Sequence, residues 1–353
     1  MSNNPKYIIN GSFLCANLTG IERFSYELCI YLDKMTEKDE FGIFIPKNVR
    51  NIPRLEKIKI YKSKIKLKSY PRWNNFVYGT FLLKHGATGI DFSNTCSILK
   101  PGIVFIHDIY CKLYKNDFMT FKDKLVRLYS CFMYRFSANH AKMLFTVSEF
   151  SRHQIAENYN VPIESIHVIP NGWDHFKSTE PDFSILEKSP ILSGAFYFTL
   201  GSLSKRKNLK WIAEYAAGHQ DEFFAISGKP LETLVTPELA RLHELKNVIF
   251  LGYLSDGQVK ALMQKCRAFL FPSYYEGFGI PPLEALSVGA QIVVSKSSCL
   301  PEIYGDSAHY IDPDNSSISL EKLLSEPVGS AEEILSKYTY GNAAAAFLSL
   351  LRR

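Results

Sequence analysis

The sequence lacks the features that would place it among membrane-spanning, secreted or repeat proteins. No run approaches 18 uninterrupted apolar residues, and the amino-terminal MSNNPKYIING has no apolar core of signal-peptide length. Low-complexity tracts and internal repeats of solenoid length are also missing, which excludes a repeat architecture. We therefore expect a cytoplasmic protein that spans no membrane.

Cysteines and acidic residues give no support for a disulfide framework or a metal site. The seven cysteines form no CxxC pair and have no His-rich companion spacing, so they indicate buried thiols of a reducing compartment. No acidic pair stands in a loop suited to a metal, and Asp312-Pro313-Asp314 is more simply a turn. No GxGxxG follows the first strand of either half, which argues against a dinucleotide-dependent dehydrogenase. We expect neither metal nor cofactor.

What the sequence does contain is an alternation of short apolar runs and helical patterns. This alternation predicts α/β architecture with parallel sheets, and 353 residues, 46% of them hydrophobic, suffice for two domains. The predicted strands of the first half are residues 7–9, 41–45, 103–106, 143–147 and 167–169. Those of the second half are residues 196–200, 223–226, 248–251, 268–271 and 291–294. The polar, proline-bearing segment 171–194 between them is interpreted as a linker.

Helix starts are marked by capping residues. Thr19 followed by Glu22 predicts a capping box, and Ser148 and Ser255 stand where two later helices should begin. The tail 331–353 is expected to form two helices, the last with an apolar face of Ala345, Phe347, Leu348 and Leu351.

The net charge of +6 is concentrated in a basic stretch at residues 54–72. One interpretation is a solvated strand, with inward apolar residues at Ile58, Ile60, Ile65 and Leu67. The other is a surface for anionic lipid, assisted by the aromatic residues Trp73, Phe76 and Tyr78. A nucleic-acid-binding role has no recognised motif to support it.

The most informative segment is FPSYYEGFGIPPLEALSVG, from Phe271 to Gly289. It predicts a buried strand, a glycine loop and a helix whose start can bind phosphate, framed by Glu276 and Glu284. Taken alone, the two glutamates could merely favour a helix N-terminus. Their spacing in this setting resembles the E-x7-E signature of retaining glycosyltransferases of family 4, which have the GT-B fold. Further segments resemble the same family: residues 18–23, 106–108, 146–152, 169–172, 201–208, 248–284 and 300–306.

The resemblance implies a fold and a binding function for each of the two domains. GT-B enzymes have two Rossmann-like domains facing across a cleft, with the chemistry between them and a C-terminal helix that crosses back to the first domain. Residues 1–175, with helix 337–353, would form the acceptor-binding domain. Residues 190–336 would form the domain that binds the nucleotide-sugar donor.

The resemblance also assigns roles to single residues. Arg206 and Lys207 would neutralise the donor diphosphate, and Glu284 would hold the ribose hydroxyls. Glu276 and His107 would lie at the transferred sugar as the catalytic residues, and Gly20 would let the backbone approach the donor or acceptor. The remaining donor-binding candidates are Ser202, Gly277, Phe278, Gly279 and Ile280. Two positions depart from the family pattern: Ser202, where many members have arginine, and Gln291, where proline is common.

The function implied is retaining, metal-independent transfer of a hexose from a nucleotide-diphosphate sugar. The combination of motifs most resembles that of bacterial enzymes of O-antigen or capsule assembly. It favours mannose or rhamnose, carried by GDP or dTDP, and a lipid-linked oligosaccharide as acceptor. Two alternatives stay open: a sugar-nucleotide epimerase or hydrolase of the same fold, and a basic module that binds membrane or nucleic acid.

Overall fold

The structure is a computed structural model that describes residues 5–202, 204–228 and 237–353. It divides into two compact units, unit 1 with Met1–Gly172 and Tyr340–Arg353, and unit 2 with Trp173–Thr339. Each unit is built around one parallel sheet. Two Rossmann-like domains, the fold class predicted from the alternating pattern, are therefore confirmed.

Unit 1 has a seven-stranded sheet of order β3-β2-β1-β4-β5-β6-β7, in which every pairing is parallel. The strands are β1 Tyr7–Asn10, β2 Phe41–Ile45, β3 Lys59–Lys62, β4 Thr88–Asp91, β5 Ile103–Phe105, β6 Met143–Thr146 and β7 Ile166–Val168. The helices are α1 Gly20–Met35, α2 Tyr70–Arg72, α3 Thr80–His85, α4 Tyr110–Leu113, α5 Phe121–His140 and α6 Glu149–Tyr159. A π-helical turn, Trp73–Gly79, joins α2 to α3.

Alternation along the strands sends successive side chains to opposite faces of this sheet. Ile9 packs on the face covered by α1, in a cluster with Phe24 and Leu28. Its neighbour Ile8 packs on the other face with Trp73 and Tyr78, beneath the segment that includes α2 and α3. Helices α5 and α6 contribute to clusters further along the sheet.

Unit 2 has a six-stranded parallel sheet of order β10-β9-β8-β11-β12-β13. Its strands are β8 Phe196–Leu200, β9 Phe223–Ser227, β10 Val248–Gly252, β11 Ala268–Phe271, β12 Ile292–Ser295 and β13 His309–Ile311. Its helices are α7 Leu209–Gly218, α8 Pro237–Glu244, α9 Asp256–Lys265, α10 Ile280–Ser287, α11 Leu300–Tyr304, α12 Leu320–Leu324 and α13 Glu332–Lys337.

The last helix, α14 Tyr340–Leu351, belongs to unit 1 and contributes to the same core cluster as α1. Phe347 is fully buried, with its ring 5.1 Å from that of Phe145 and 5.6 Å from that of Phe105. The apolar face differs from the predicted one at one position. Ala345 is exposed, and Ala343 and Ala344 pack in its place.

The basic stretch is the part of unit 1 where the predictions fail most. Ile65, expected to point inward, is 54% exposed. Trp73 and Tyr78, expected at a lipid surface, are buried: the Trp73 indole donates to Asn10 Oδ1 (2.8 Å) and the Tyr78 hydroxyl to the Ile8 carbonyl (2.7 Å). Of the three aromatic residues only Phe76 is exposed. Hydrogen bonding of their polar atoms inside the fold explains the burial of the other two.

Other helix boundaries follow the sequence closely. Ser148 caps α6, and Ser255 caps α9 in a full capping box. Thr19 does precede α1, but its hydroxyl bonds to the Glu22 carboxylate and makes no cap with the backbone, so the predicted box does not form there. Across residues 5–202, 204–228 and 237–353, every helix is too short or too polar to span a membrane.

The segment interpreted as a linker is folded against unit 2. It forms three 3₁₀ turns, Asp174–Phe176, Phe183–Lys188 and Pro190–Ser193. The Lys260 ammonium on α9 donates to the carbonyls of Phe176 (2.9 Å) and Thr179 (2.8 Å), and the Asp182 N–H donates to the Gly257 carbonyl (2.9 Å). From Trp173 onward the segment therefore belongs to unit 2.

Candidate functional site

The donor-side candidates of unit 2 gather where its strand order reverses. Strands β8 and β11 are neighbours at the centre of the sheet, with β9 and β10 on one side and β12 and β13 on the other. Open parallel sheets bind ligands at the carboxyl ends of the strands at such a switch point. The loop 201–208 leaves β8 there, and the loop 272–279 leaves β11.

Backbone and amide hydrogen bonds hold these two loops together. The Tyr274 N–H donates to the Arg206 carbonyl (3.0 Å). The Asn208 amide donates to the carbonyls of Pro272 (3.1 Å) and Pro313 (2.8 Å), while Asn208 itself adopts a left-handed conformation, φ 54°. Asparagine tolerates that conformation better than most residues. Asn208 therefore ends the 3₁₀ turn Lys205–Lys207 and also fixes this turn to the end of β11.

Lys207 and Glu276 form a buried ion pair between the loops. The Lys207 Nζ lies 2.7 Å from Glu276 Oε1, with 13% and 7% of the side chains exposed, and 4.4 Å from the centre of the Phe271 ring. Burial opposes ionisation of Glu276, but the charges of Lys207 and Arg206 outweigh it and lower its pKa. The structure thus brings together three residues that the resemblance assigned to the donor diphosphate and the sugar.

Two glycines permit this geometry. Gly201 has φ +152°, and a Cβ there would lie 3.1 Å from Lys207 Cε. Gly279 has φ +90°, and a Cβ there would lie 2.9 Å from Leu300 Cδ2. A side chain at either position would meet strain and crowding together, so glycine keeps Lys207 and the start of α10 in place.

The side chains around the start of α10 pack inside the protein. Phe278 and Ile280 are buried, and the Phe278 ring contacts Tyr338 edge to face at 5.3 Å. Pro281 and Pro282 in the first turn carry no N–H. An anion at this helix start would therefore depend on the N–H groups of the glycine loop, from Gly277 to Ile280.

Glu284, on α10, contacts a residue that the sequence analysis missed. His175 Nε2 lies 2.9 Å from Glu284 Oε1, and the two side chains are 4% and 11% exposed. His175 comes from the first 3₁₀ turn of the segment interpreted as a linker, so polar composition hid it. The sequence feature that could have indicated His175 is WDHF at residues 173–176, because it directly follows the family-like IPNG.

In unit 1, His107 follows β5 and is separated from it by Ile106 alone. Its side chain is buried. Its Nε2 lies 2.7 Å from the Phe92 carbonyl, and its ring meets that of Phe24 edge to face at 5.0 Å. A carbonyl only accepts, so Nε2 carries the hydrogen. Burial lowers the pKa of His107, and this effect exceeds the opposing ones of the Phe92 carbonyl and Asp108.

The remaining candidates are surface residues. Gly20 is the exposed first residue of α1, and a Cβ there would meet nothing within 4 Å. Ser202 is exposed, and its hydroxyl lies 3.2 Å from that of Ser204. Gln291, the second departure from the family pattern, lies with Oε1 3.1 Å from His309 Nε2.

The segment Asp312-Pro313-Asp314 forms a turn, in which the Asp314 N–H donates to Asp312 Oδ1 (2.9 Å). Within the described ranges no three His, Cys, Asp or Glu residues cluster as metal ligands would.

Comparison with known proteins relates this chain to glycosyltransferases. Residues 185–340 match the family model Glycosyl transferases group 1. The chain is 30% identical to O-antigen chain mannosyltransferase B of Escherichia coli over 199 residues, 51% of this chain and 50% of that protein. It is 26% identical to O-antigen chain mannosyltransferase RfbU of Salmonella typhimurium over 257 residues, 70% of this chain and 69% of that protein. The match therefore spans about half the length of the first relative.

A solved structure extends the likeness to the whole chain. Sucrose-phosphate synthase from Thermosynechococcus elongatus superposes with a TM-score of 0.74 at 13% identity, covering 99% of this chain and 98% of that one. At this identity the likeness concerns the fold alone, and it agrees with the predicted GT-B class. Arg206, Lys207, Glu276 and Glu284 all lie within residues 185–340, and this part of the chain is a domain of the family Glycosyl transferases group 1.

Proposed function

We propose that this chain is a retaining, metal-independent hexosyltransferase that uses a nucleotide-diphosphate sugar. The observation that carries the proposal is the buried Lys207–Glu276 pair at the switch point of unit 2, 2.7 Å apart. It sets a cation and a carboxylate side by side where a parallel sheet binds ligands. A diphosphate needs the cation, and an anomeric carbon that develops positive charge needs the carboxylate.

The cations account for departure of the leaving group. Arg206 and Lys207 follow each other in one 3₁₀ turn, and both act electrostatically on Glu276. Preorganised positive charge stabilises a diphosphate that gains negative charge as the sugar bond breaks. A donor diphosphate arriving at this turn would compete with Glu276 for the Lys207 ammonium. The site therefore needs no metal ion to neutralise the leaving group.

Glu276 acts in the proposal as an ionised carboxylate near the sugar. Its lowered pKa keeps it charged at neutral pH. Its backbone is fixed, since its N–H donates to Ser298 Oγ (3.1 Å) and its carbonyl accepts from Cys299 Sγ (3.3 Å). A carboxylate held in this way stabilises positive charge in the transition state without reorganising. His107, whose pKa is lowered by burial, keeps in the proposal the role at the transferred sugar that the resemblance implies.

We propose mannose as the hexose, because of the names of the relatives; GDP as its carrier, and rhamnose from dTDP as the second choice, follow from the motif resemblance. The two relatives described above are named for O-antigen chain mannosyl transfer. We infer the same class of pathway here, surface polysaccharide assembly, with a lipid-linked oligosaccharide as acceptor. Capsule assembly uses the same chemistry and fits the proposal equally.

Contact with anionic lipid is proposed at α5. Four large apolar residues form one stripe at helical spacing, namely Phe121, Leu125, Leu128 and Phe132, with 78%, 51%, 65% and 51% exposed. The charged residues of α5 are four cations, Lys122, Lys124, Arg127 and Arg135, and one acid, Asp123, which is engaged in the N-terminal capping box. An exposed apolar stripe beside excess positive charge suits the surface of an anionic bilayer. The buried Trp73 and Tyr78 cannot serve this purpose.

The activity is tested by following a labelled sugar. Full-length protein is incubated with bacterial membranes carrying lipid-linked oligosaccharides and with GDP-mannose or dTDP-rhamnose, each labelled in the sugar. The proposal predicts transfer of label into the lipid-extractable glycan, and loss of that transfer in Glu276→Gln. Label recovered only as free sugar, or as an altered nucleotide sugar, would instead support the hydrolase or epimerase.

A further inference from the structure

The contact between His175 and Glu284 is not explained by packing alone. Both side chains are largely buried, at 4% and 11% exposed, and their polar atoms lie 2.9 Å apart. A buried carboxylate is costly unless hydrogen bonds compensate it. A carboxylate accepts only, so His175 Nε2 carries the hydrogen and donates it to Oε1. One oxygen of Glu284 is thus held by the protein.

The histidine is itself held by the segment around it. The Trp173 indole donates to the Leu335 carbonyl (2.8 Å), and the Lys260 ammonium donates to the carbonyls of Phe176 (2.9 Å) and Thr179 (2.8 Å). The segment therefore has fixed contacts on both sides of His175. A buried imidazole carried on a segment held in this way restricts the rotation of the glutamate it contacts.

We propose that His175 is a positioning residue that orients Glu284 toward the ribose hydroxyls of the donor nucleotide. The inference rests on the proposed function, because it takes Glu284 in the role that the resemblance implies for it, as the ligand of the donor ribose. It adds a residue outside the matched domain, 109 positions before its partner in the sequence. With Oε1 fixed by His175, Glu284 meets the hydroxyl pair in a single orientation. Nucleotides that lack these hydroxyls gain nothing from that orientation.

The test compares nucleotides with and without ribose hydroxyls. Isothermal titration of the full chain measures Kd for GDP and UDP, which carry both ribose hydroxyls, for dTDP, which carries only the 3′-hydroxyl, and for the 2′,3′-dideoxy counterpart of each. In the native protein the nucleotide that binds best should lose affinity when its hydroxyls are removed. In His175→Phe, which keeps an aromatic ring and loses the donor, we expect Kd to rise about ten-fold for the hydroxylated nucleotide. Its counterpart should bind as it does to the native protein.

Two variants separate positioning from a general structural effect. His175→Gln retains an N–H donor and should recover part of the lost affinity. His219→Phe removes a histidine that stacks on Tyr215 at 4.0 Å in the same unit, and it should leave both Kd values unchanged. Melting curves check that each variant is folded.

The possible failures are distinguishable. Equal weakening of both nucleotides by His175→Phe, or no weakening of either, would overturn the positioning role while leaving the proposed function intact. A native chain that binds none of the nucleoside diphosphates would overturn the proposed function, and the role of His175 with it.

Discussion

Glu276 and Glu284 belong to one sequence motif but lie in different settings. Glu276 is paired with Lys207 in the loop after β11, whereas Glu284 is paired with His175 on α10. The first pair joins a carboxylate to a full cation, and the second joins it to an imidazole. Such different partners suggest different tasks, and kinetics can separate them.

We predict that Glu276→Gln lowers kcat far more than it raises the Kd of the donor. The substitution keeps the shape and removes the charge that stabilises the transition state. Glu284→Gln should instead weaken donor binding by about 1.5–3 kcal/mol, the usual contribution of a hydrogen bond to a charged group. Donor titration and steady-state kinetics of both variants, with melting curves as the control for folding, measure this difference. Near-native turnover in Glu276→Gln, or the reverse pattern, would refute the assignment.

Arg206 and Lys207 lead to a prediction about metal. If these two cations neutralise the leaving diphosphate, transfer should survive excess EDTA at close to its initial rate. The measurement is the rate of label transfer before and after chelation. Abolition by EDTA and recovery with Mn²⁺ would show that a metal performs the task we assign to the two side chains.

At the scale of elements, the sequence predicted those strands that are continuous apolar runs, such as β8 and β11. It missed β4 and β13, TGID and HYI, which are short and carry a polar residue or a glycine. Hydrophobic pattern alone does not identify such strands, because pairing with neighbours on the sheet stabilises them. The contacts of the segment 171–194 were missed for a related reason. Its contacts with α9 and α10 are far apart in sequence, so His175 could not be connected with Glu284.

Helix α14 offers a test of the core of unit 1. Phe347 is fully buried among the rings of Phe92, Phe105 and Phe145. Phe347→Ala should lower the free energy of unfolding by about 3–5 kcal/mol, the range for truncating a buried phenylalanine. Leu350, partly buried on the same helix, provides the control, since Leu350→Ala should cost less. Equal effects on denaturant unfolding would show that α14 is not packed as described.

Helix α5 should bind lipid reversibly. We predict that the full chain floats with vesicles containing phosphatidylglycerol, and that Leu125→Ser with Leu128→Ser abolishes flotation. Both residues are exposed, so folding should be little affected. Each basic residue near such a surface adds roughly 1 kcal/mol, and high salt should therefore weaken the association. Tyr253→Ser, at a residue 62% exposed in unit 2, is the control.

Two other results would contradict this assignment. Flotation that is unchanged in the α5 variant but lost when Lys64, Lys66 and Lys68 are neutralised would place lipid contact in the basic stretch. A native protein that dimerises in solution without binding vesicles, and whose dimer the α5 variant disrupts, would identify the stripe as an interface between copies.

For the molecule as a whole, the residues proposed to bind the donor belong to one unit. Arg206, Lys207, Glu276 and Glu284 all lie in unit 2, on the segments that follow its central strands β8 and β11. His107 and Gly20 belong to the other unit. The proposed division, in which unit 2 binds the donor and unit 1 the acceptor, predicts that nucleotide affinity depends on substitutions in unit 2.

The most direct test of this account is calorimetric titration of the full chain with GDP, UDP and dTDP, comparing the native protein with Lys207→Met and Lys207→Arg. The account predicts that one diphosphate binds the native protein and that Lys207→Met raises its Kd about ten- to a hundred-fold, as loss of a charged hydrogen-bond donor should. Lys207→Arg should retain part of the affinity, and the parent nucleoside should bind native and variant proteins alike. Equal diphosphate affinity in the native protein and Lys207→Met, or no diphosphate binding by the native chain, would contradict it.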